Sequence, residues 1–135
     1  METREVGPAE VARMLAEQQE DQRQRLKAGI PALDRLVEVA RRDTGQSRVC
    51  GRFLLGLYNG GYYRFNLNDL RGLDTELLDD CLAVLRMDAR PVREVHQLIE
   101  GGEAVFRSLR MAWATGEEAE RFSEDDRAEW TRRHG

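Results

Sequence analysis

Few residues in this chain are of the types that do chemistry. Its two cysteines, Cys50 and Cys81, stand 31 positions apart and form no CxxC. Its two histidines are His96 and His134. A zinc site needs clustered Cys, His or carboxylate ligands, and no such cluster is present. A nucleophile needs a base beside it, and His96 is the sole candidate base, without a signature partner. Paired carboxylates offer a third chemistry. Asp79 and Asp80 are adjacent, so on a helix they point about 100° apart and do not share a substrate. Glu76 and Asp80 do share a helical face, at i and i+4, and read as solvated acids. Gly51 and Gly56 have the separation of a phosphate-binding GxxxxGK loop, but Leu57 stands where the lysine is needed. The expectation is a protein with no catalytic residue, no metal ligand and no cofactor: not an enzyme.

The elements that position these residues are helical. Leu (16) and Ala (13) far outnumber Val (9) and Ile (2), a balance that favours helices over strands. Pro8 opens a first segment that carries Val11, Met14 and Leu15 and then runs into the polar EQQEDQRQR. It reads as an exposed helical arm, residues 1–29, broken by Gly29. Ile30-Pro31 starts the next helix, with Leu33, Leu36, Val37 and Ala40 at amphipathic spacing. Gly45 reads as its left-handed cap, and Thr44 or Ser47 as the cap of the helix that follows. That helix, about 47–58, is the most apolar segment and reads as the central one. Gly51 and Gly56 inside it predict a close neighbour, since a mid-helix glycine costs about 1 kcal/mol against alanine. Asn66 or Asn68 caps a short turn through Leu70. Asp74 caps a helix over about 75–87. Pro91 is expected to open a helix with Val92, Val95, Leu98 and Ile99. A last core helix covers about 103–114 and carries Phe106, Leu109 and Trp113. Residues 115–135 are acidic and read as a mobile tail or a loosely docked helix.

The predicted fold is all-α: a single compact bundle of about five to six helices over residues 30–114, with the polar arm before it and the acidic tail after it. The expected core is Leu36, Val37, Ala40, Val49, Phe53, Leu54, Leu57, Leu70, Leu78, Cys81, Leu85, Phe106, Leu109 and Trp113. No stretch of about 18 apolar residues exists to span a membrane. METREVGPAE has no basic-then-apolar signal pattern. Two cysteines are too few for a secreted disulfide scaffold. A reducing cytoplasm is the expected setting.

Charge is unevenly placed although the net value is only −4. Residues 30–73 hold seven arginines against four acids, and 74–100 hold seven acids against three arginines. Two candidate contact surfaces follow. One is acidic: Glu76, Asp79, Asp80 and Asp88. The other is basic: Arg41, Arg42, Arg48 and Arg52. The basic one raises a helix-turn-helix reading for residues 35–58, with Arg48 and Arg52 on the second helix. Against it, Gly45 lies five after Ala40 rather than four, and the second helix is more apolar than a groove reader. A domain-wide basic footprint is absent.

The runs ALDRLVEVARRDTGQSRVCGRFLLGLYN, FNLNDLRGLD and FRSLRMAW, within residues 32–113, resemble an uncharacterised bacterial family associated with integrative elements and plasmids of proteobacteria. The resemblance implies a small accessory protein of mobile DNA and carries over no site residue. The expected function is a non-enzymatic protein-binding factor, such as an inhibitor of a CRISPR complex that occludes a partner surface. The alternative is a small DNA-associated regulator using the 35–58 pair. A protein partner is expected, with direct nucleic-acid binding second and no membrane partner.

Overall fold

The computed structural model describes residues 5–120, and all regular structure there is helical. Four long helices dominate: α1 (Pro8–Ala40), α2 (Gly45–Tyr58), α3 (Thr75–Asp88) and α4 (Gly102–Trp113). A short α5 (Glu117–Glu120) follows, and short 3-10 segments occupy Leu67–Gly72 and Val95–Gln97. The all-helical bundle expected from composition is the fold.

The main departure is α1. Gly29 and Pro31 do not divide it; one helix runs for 33 residues through both. A mid-helix proline forfeits a hydrogen bond and costs about 3 kcal/mol in isolation. Packing on both sides offsets that cost. Ala32, Leu33 and Leu36 are fully buried, and each buried leucine contributes about 1.5–3 kcal/mol. Gly29 is a contact point rather than a breaker. A Cβ there would lie 2.7 Å from Met87 Cβ, so the absent side chain is the seat of Met87.

Three pairings fix α3 antiparallel to α1: Arg35 with Asp80, Gly29 with Met87, and Arg25 with the Arg86 carbonyl. The buried face of α3 is Leu77, Asp80, Cys81, Val84 and Met87. It is rotated from the expected face, so Leu78 is half-buried and Leu85 is 44% exposed. Leu57, Leu70 and Trp113 are half-buried and pack against the core rather than within it. The remaining nine expected core residues are buried.

α2 crosses the middle and buries Val49, Cys50, Phe53, Leu54 and Leu55. Its glycines do mark close neighbours. The Trp113 indole occupies the space over Gly51, and Phe65 lies over Gly56. Trp113 Nε1 donates to Ala40 O at 2.8 Å, satisfying one of the carbonyls left open at the end of α1. The helix expected after Pro91 is only the Val95–Gln97 turn. There the Glu94 N–H donates to Gln97 Oε1, which closes the turn, and buried Val95 anchors it. Gly45 is the first residue of α2, not a left-handed cap; only Gly101 and Gly116 have positive φ among the described residues.

Candidate functional site

The α1–α2 junction and the first turn of α2 build one end of a surface groove through Thr44 and Gln46. Thr44 caps α2: its Oγ1 accepts from Ser47 N at 3.0 Å and lies 2.8 Å from Ser47 Oγ. Ser47 is thereby buried with its hydroxyl satisfied. Gln46 reaches across to α3, where its Oε1 accepts from Asp74 N at 2.7 Å. Asp74 in turn caps α3 through Leu77 N. The starts of α2 and α3 are laced together by these side chains.

Beside this lacing lies a groove of about 770 Å³ between the C-terminal half of α1 and the start of α3. Glu38, Asp74, Glu76, Asp79 and Asp80 line it against two cations, Arg35 and Arg42. Val39 and Leu77 supply apolar lining. Arg35 and Asp80 form a two-pronged pair, Nε to Oδ2 at 3.0 Å and Nη2 to Oδ1 at 2.8 Å. The Asp80 carboxylate raises the Arg35 guanidinium pKa, through these hydrogen bonds first and its charge second. Asp80 is therefore not a solvated acid. Its side chain is 12% exposed while that of Arg35 is 58% exposed. Arg42 pairs with Glu38 at 3.1 Å on the same helix.

The four acids expected to form one face do not do so. Glu76 and Asp79 are exposed at the groove, Asp80 is buried beneath it, and Asp88 sits at the far end of α3, about 18 Å along the helix from Glu76. Burial raises the Asp88 carboxyl pKa, and the charge of Glu94 adds to the effect.

The basic set also divides. Arg41 and Arg42 are exposed at the end of α1. Arg48 is exposed and lies 3.6 Å from Asp69. Arg52 is turned inward. Its Nη1 donates to Glu118 Oε1 at 2.6 Å and to Trp113 O, and its Nη2 donates to Arg64 O. Burial alone would raise the Glu118 pKa, but Arg52 and the Thr115 N–H hold it low. The sequence reading missed Arg35 and Gln46 as site-building residues. Their signal is visible only once α1 is taken as continuous and antiparallel to α3.

The thiols and the imidazole lie elsewhere. Cys50 and Cys81 are buried and unbonded, and burial pushes them up to about 11 and about 12. His96 is half-buried, with its ring edge-on to Tyr58 at 5.2 Å and Nε2 3.7 Å from Glu103. Among the described residues no three His, Cys, Asp or Glu side chains are placed to hold a metal ion. Among them also, no helix is long and apolar enough to cross a membrane.

Residues 30–114 match the family of unknown function DUF7673, and the chain belongs to that family. No curated protein and no solved structure matches it.

Proposed function

We propose that this member of the DUF7673 family is a non-enzymatic protein-binding module whose α1–α3 groove receives a basic segment of a partner protein. The observation that carries the reading is the charge of the groove, five carboxylates against two guanidiniums. One carboxylate and one guanidinium are locked together, so the outward-facing excess is acidic. Exposed Glu76 and Asp79 beside apolar Leu77 and Val39 provide the mixture that steers and then holds a Lys- or Arg-bearing segment. The Arg35–Asp80 pair ties the two groove walls together and the Gln46–Asp74 contact ties the start of α3 to α2, and walls held in place before docking lower its entropy cost.

The setting in this proposal is that of an accessory protein of a bacterial mobile element, acting in the cytoplasm. Its target there is a host defence complex such as a CRISPR effector, whose nucleic-acid-binding channels are basic. The resemblance of residues 32–113 to a family of such elements supports the setting. A second reading, a DNA-associated regulator, rests on the exposed Arg41, Arg42 and Arg48 at the α1–α2 junction.

A pull-down with the full chain from a lysate of the source organism, with and without nuclease, tests both. The groove reading expects a stoichiometric protein partner that survives nuclease and is lost with Glu76→Lys plus Asp79→Lys. Recovery that collapses with nuclease, is lost with Arg41→Ala plus Arg48→Ala, and ignores the groove variant supports the regulator and overturns the groove.

A further inference from the structure

The carboxylate that Arg52 holds comes from outside the residues that match the family. That match covers 30–114; Arg52 lies inside it and Glu118 beyond it. The Arg52 side chain is 13% exposed and that of Glu118 16%. Nη1 and Nη2 each donate to one oxygen of the carboxylate, at 2.6 and 3.2 Å, the planar fork that arginine offers a carboxylate. The backbone carbonyls of Trp113 and Arg64 fix the guanidinium from the domain side. The domain thus builds a carboxylate receptor, and an appended segment supplies the carboxylate. That segment, α5, is four residues long. A helix so short does not hold itself together in water. The Glu118 carboxylate braces it, accepting also from Thr115 N and Thr115 Oγ1 at 3.0 and 3.2 Å. Gly116, at φ 53°, turns the chain so that α5 can seat.

Beside the seated carboxylate the domain leaves room. A cavity of about 440 Å³ opens there, lined by Arg48, Arg52 and Arg64 against one acid, Asp69, with Phe65 and Trp113 as apolar wall. Arg48 and Arg64 are exposed at its rim. Three guanidiniums exceed the charge of Asp69 and Glu118 together. Arginine clusters recognise acidic motifs, and three of the four α5 residues are glutamates. Asp69 also says which anion fits. It stands 3.6 Å from Arg48, where it repels a continuous phosphate backbone. The spaced carboxylates of a peptide can pass it.

We propose that Arg52, with Arg48 and Arg64 at its rim, is a receptor for an acidic peptide segment of a partner protein, and that α5 occupies it in cis until that segment displaces it. On so short a tether Glu118 competes at a millimolar effective concentration. The partner segment therefore binds the closed chain weakly and binds more tightly once α5 cannot seat. No residue of the α1–α3 groove lines this cavity, so this inference stands or falls apart from the groove reading.

The test titrates an end-capped peptide of the sequence ATGEEAE, that of residues 114–120, into the isotopically labelled full chain and follows its NMR signals into the millimolar range. Glu118→Ala removes the cis carboxylate and leaves Arg52 bonded to the Trp113 and Arg64 carbonyls, so the domain stays folded. In that variant the peptide shifts the Arg52, Arg64 and Trp113 signals, with a dissociation constant at least about tenfold below that for wild type. Added salt weakens the binding. Arg48→Ala with Arg64→Ala, which alters exposed side chains, weakens it several-fold. A peptide with Gln for each Glu leaves the signals unmoved. Absence of any shift in Glu118→Ala overturns the proposal, and so does a glutamine peptide that binds as well. Equal affinity for wild type and Glu118→Ala overturns the cis occupancy. A single-stranded oligonucleotide that moves the same signals at lower concentration than the peptide assigns the cavity to phosphates and overturns the peptide ligand.

Discussion

The Trp113 indole fills the space that a side chain on Gly51 would need, and its Nε1 is held in place by the Ala40 carbonyl. One ring thus joins α4, α2 and the end of α1. Gly51→Ala gains up to about 1 kcal/mol of helix propensity but collides with a ring that cannot move without breaking its hydrogen bond. Overpacking of this kind costs about 1–3 kcal/mol, so the variant unfolds at lower urea concentration than wild type. Gly45→Ala, at an exposed helical position with open space around it, shows no loss in the same titration.

Gly29→Ala is a sharper case, because the helix reading and the packing reading predict opposite signs. Propensity alone stabilises it by about 1 kcal/mol. Contact with Met87 Cβ, near its backbone and unable to swing away, predicts a net loss. In a double-mutant cycle, Met87→Ala frees the space, and Gly29→Ala in that background becomes neutral or stabilising. A coupling energy near zero by urea denaturation would contradict the contact.

The Arg35–Asp80 pair is lopsided, and its two halves should fail differently. Removing the buried partner leaves an exposed guanidinium that water solvates. Removing the exposed partner leaves a carboxylate buried without its counter-charge. Arg35→Ala therefore lowers the melting temperature more than Asp80→Asn does.

Asp88 is half-buried at the C-terminal end of α3, where a negative charge opposes the helix dipole. Its carboxyl pKa is raised in the folded state by burial and by Glu94. A raised folded pKa means the group's contribution is full below its ordinary carboxylate value and is lost as pH rises through the folded value. Asp88→Asn thus raises the melting temperature at pH 7, and the gain shrinks toward zero near pH 3. A gain of equal size at both pH values would exclude ionisation as its cause.

Cys50 and Cys81 are buried, and burial holds both as neutral thiols well above neutral pH. Because the thiolate is the reactive form, neither should react with a disulfide reagent at pH 8 in the native protein. Both should react once urea unfolds it. Rapid native labelling of either would show that α2 and α3 open.

Fold class was legible because leucine and alanine dominate and helical spacing recurs in every long segment. The cap at Asp74 was legible for the same local reason, and Thr44 was one of two candidates for the cap of α2. What was not legible depended on contacts across the chain. Gly29 and Pro31 are breakers by propensity, yet Met87 on one side and Leu33 on the other make them part of one helix. Leu85 fits the apolar stripe of α3 as well as Val84 does, and only the Gly29–Met87 and Arg35–Asp80 contacts select the other face. Asp80 and Arg52 read as surface charges because their partners, Arg35 and Glu118, are 45 and 66 residues away. The groove was legible only as two separate lists of charges, since its walls belong to distant segments.

The unbroken course of α1 sets how the molecule moves through solvent. At 1.5 Å per residue it is a rod about 50 Å long. A sphere-like chain of this length has a radius of gyration near 14 Å, and the rod outreaches such a body. Friction and tumbling therefore follow the rod rather than the mass. A single chain will leave a sizing column early, at the position of a heavier globule, and be mistaken for a pair. Only methods that weigh particles without reference to shape can count the copies.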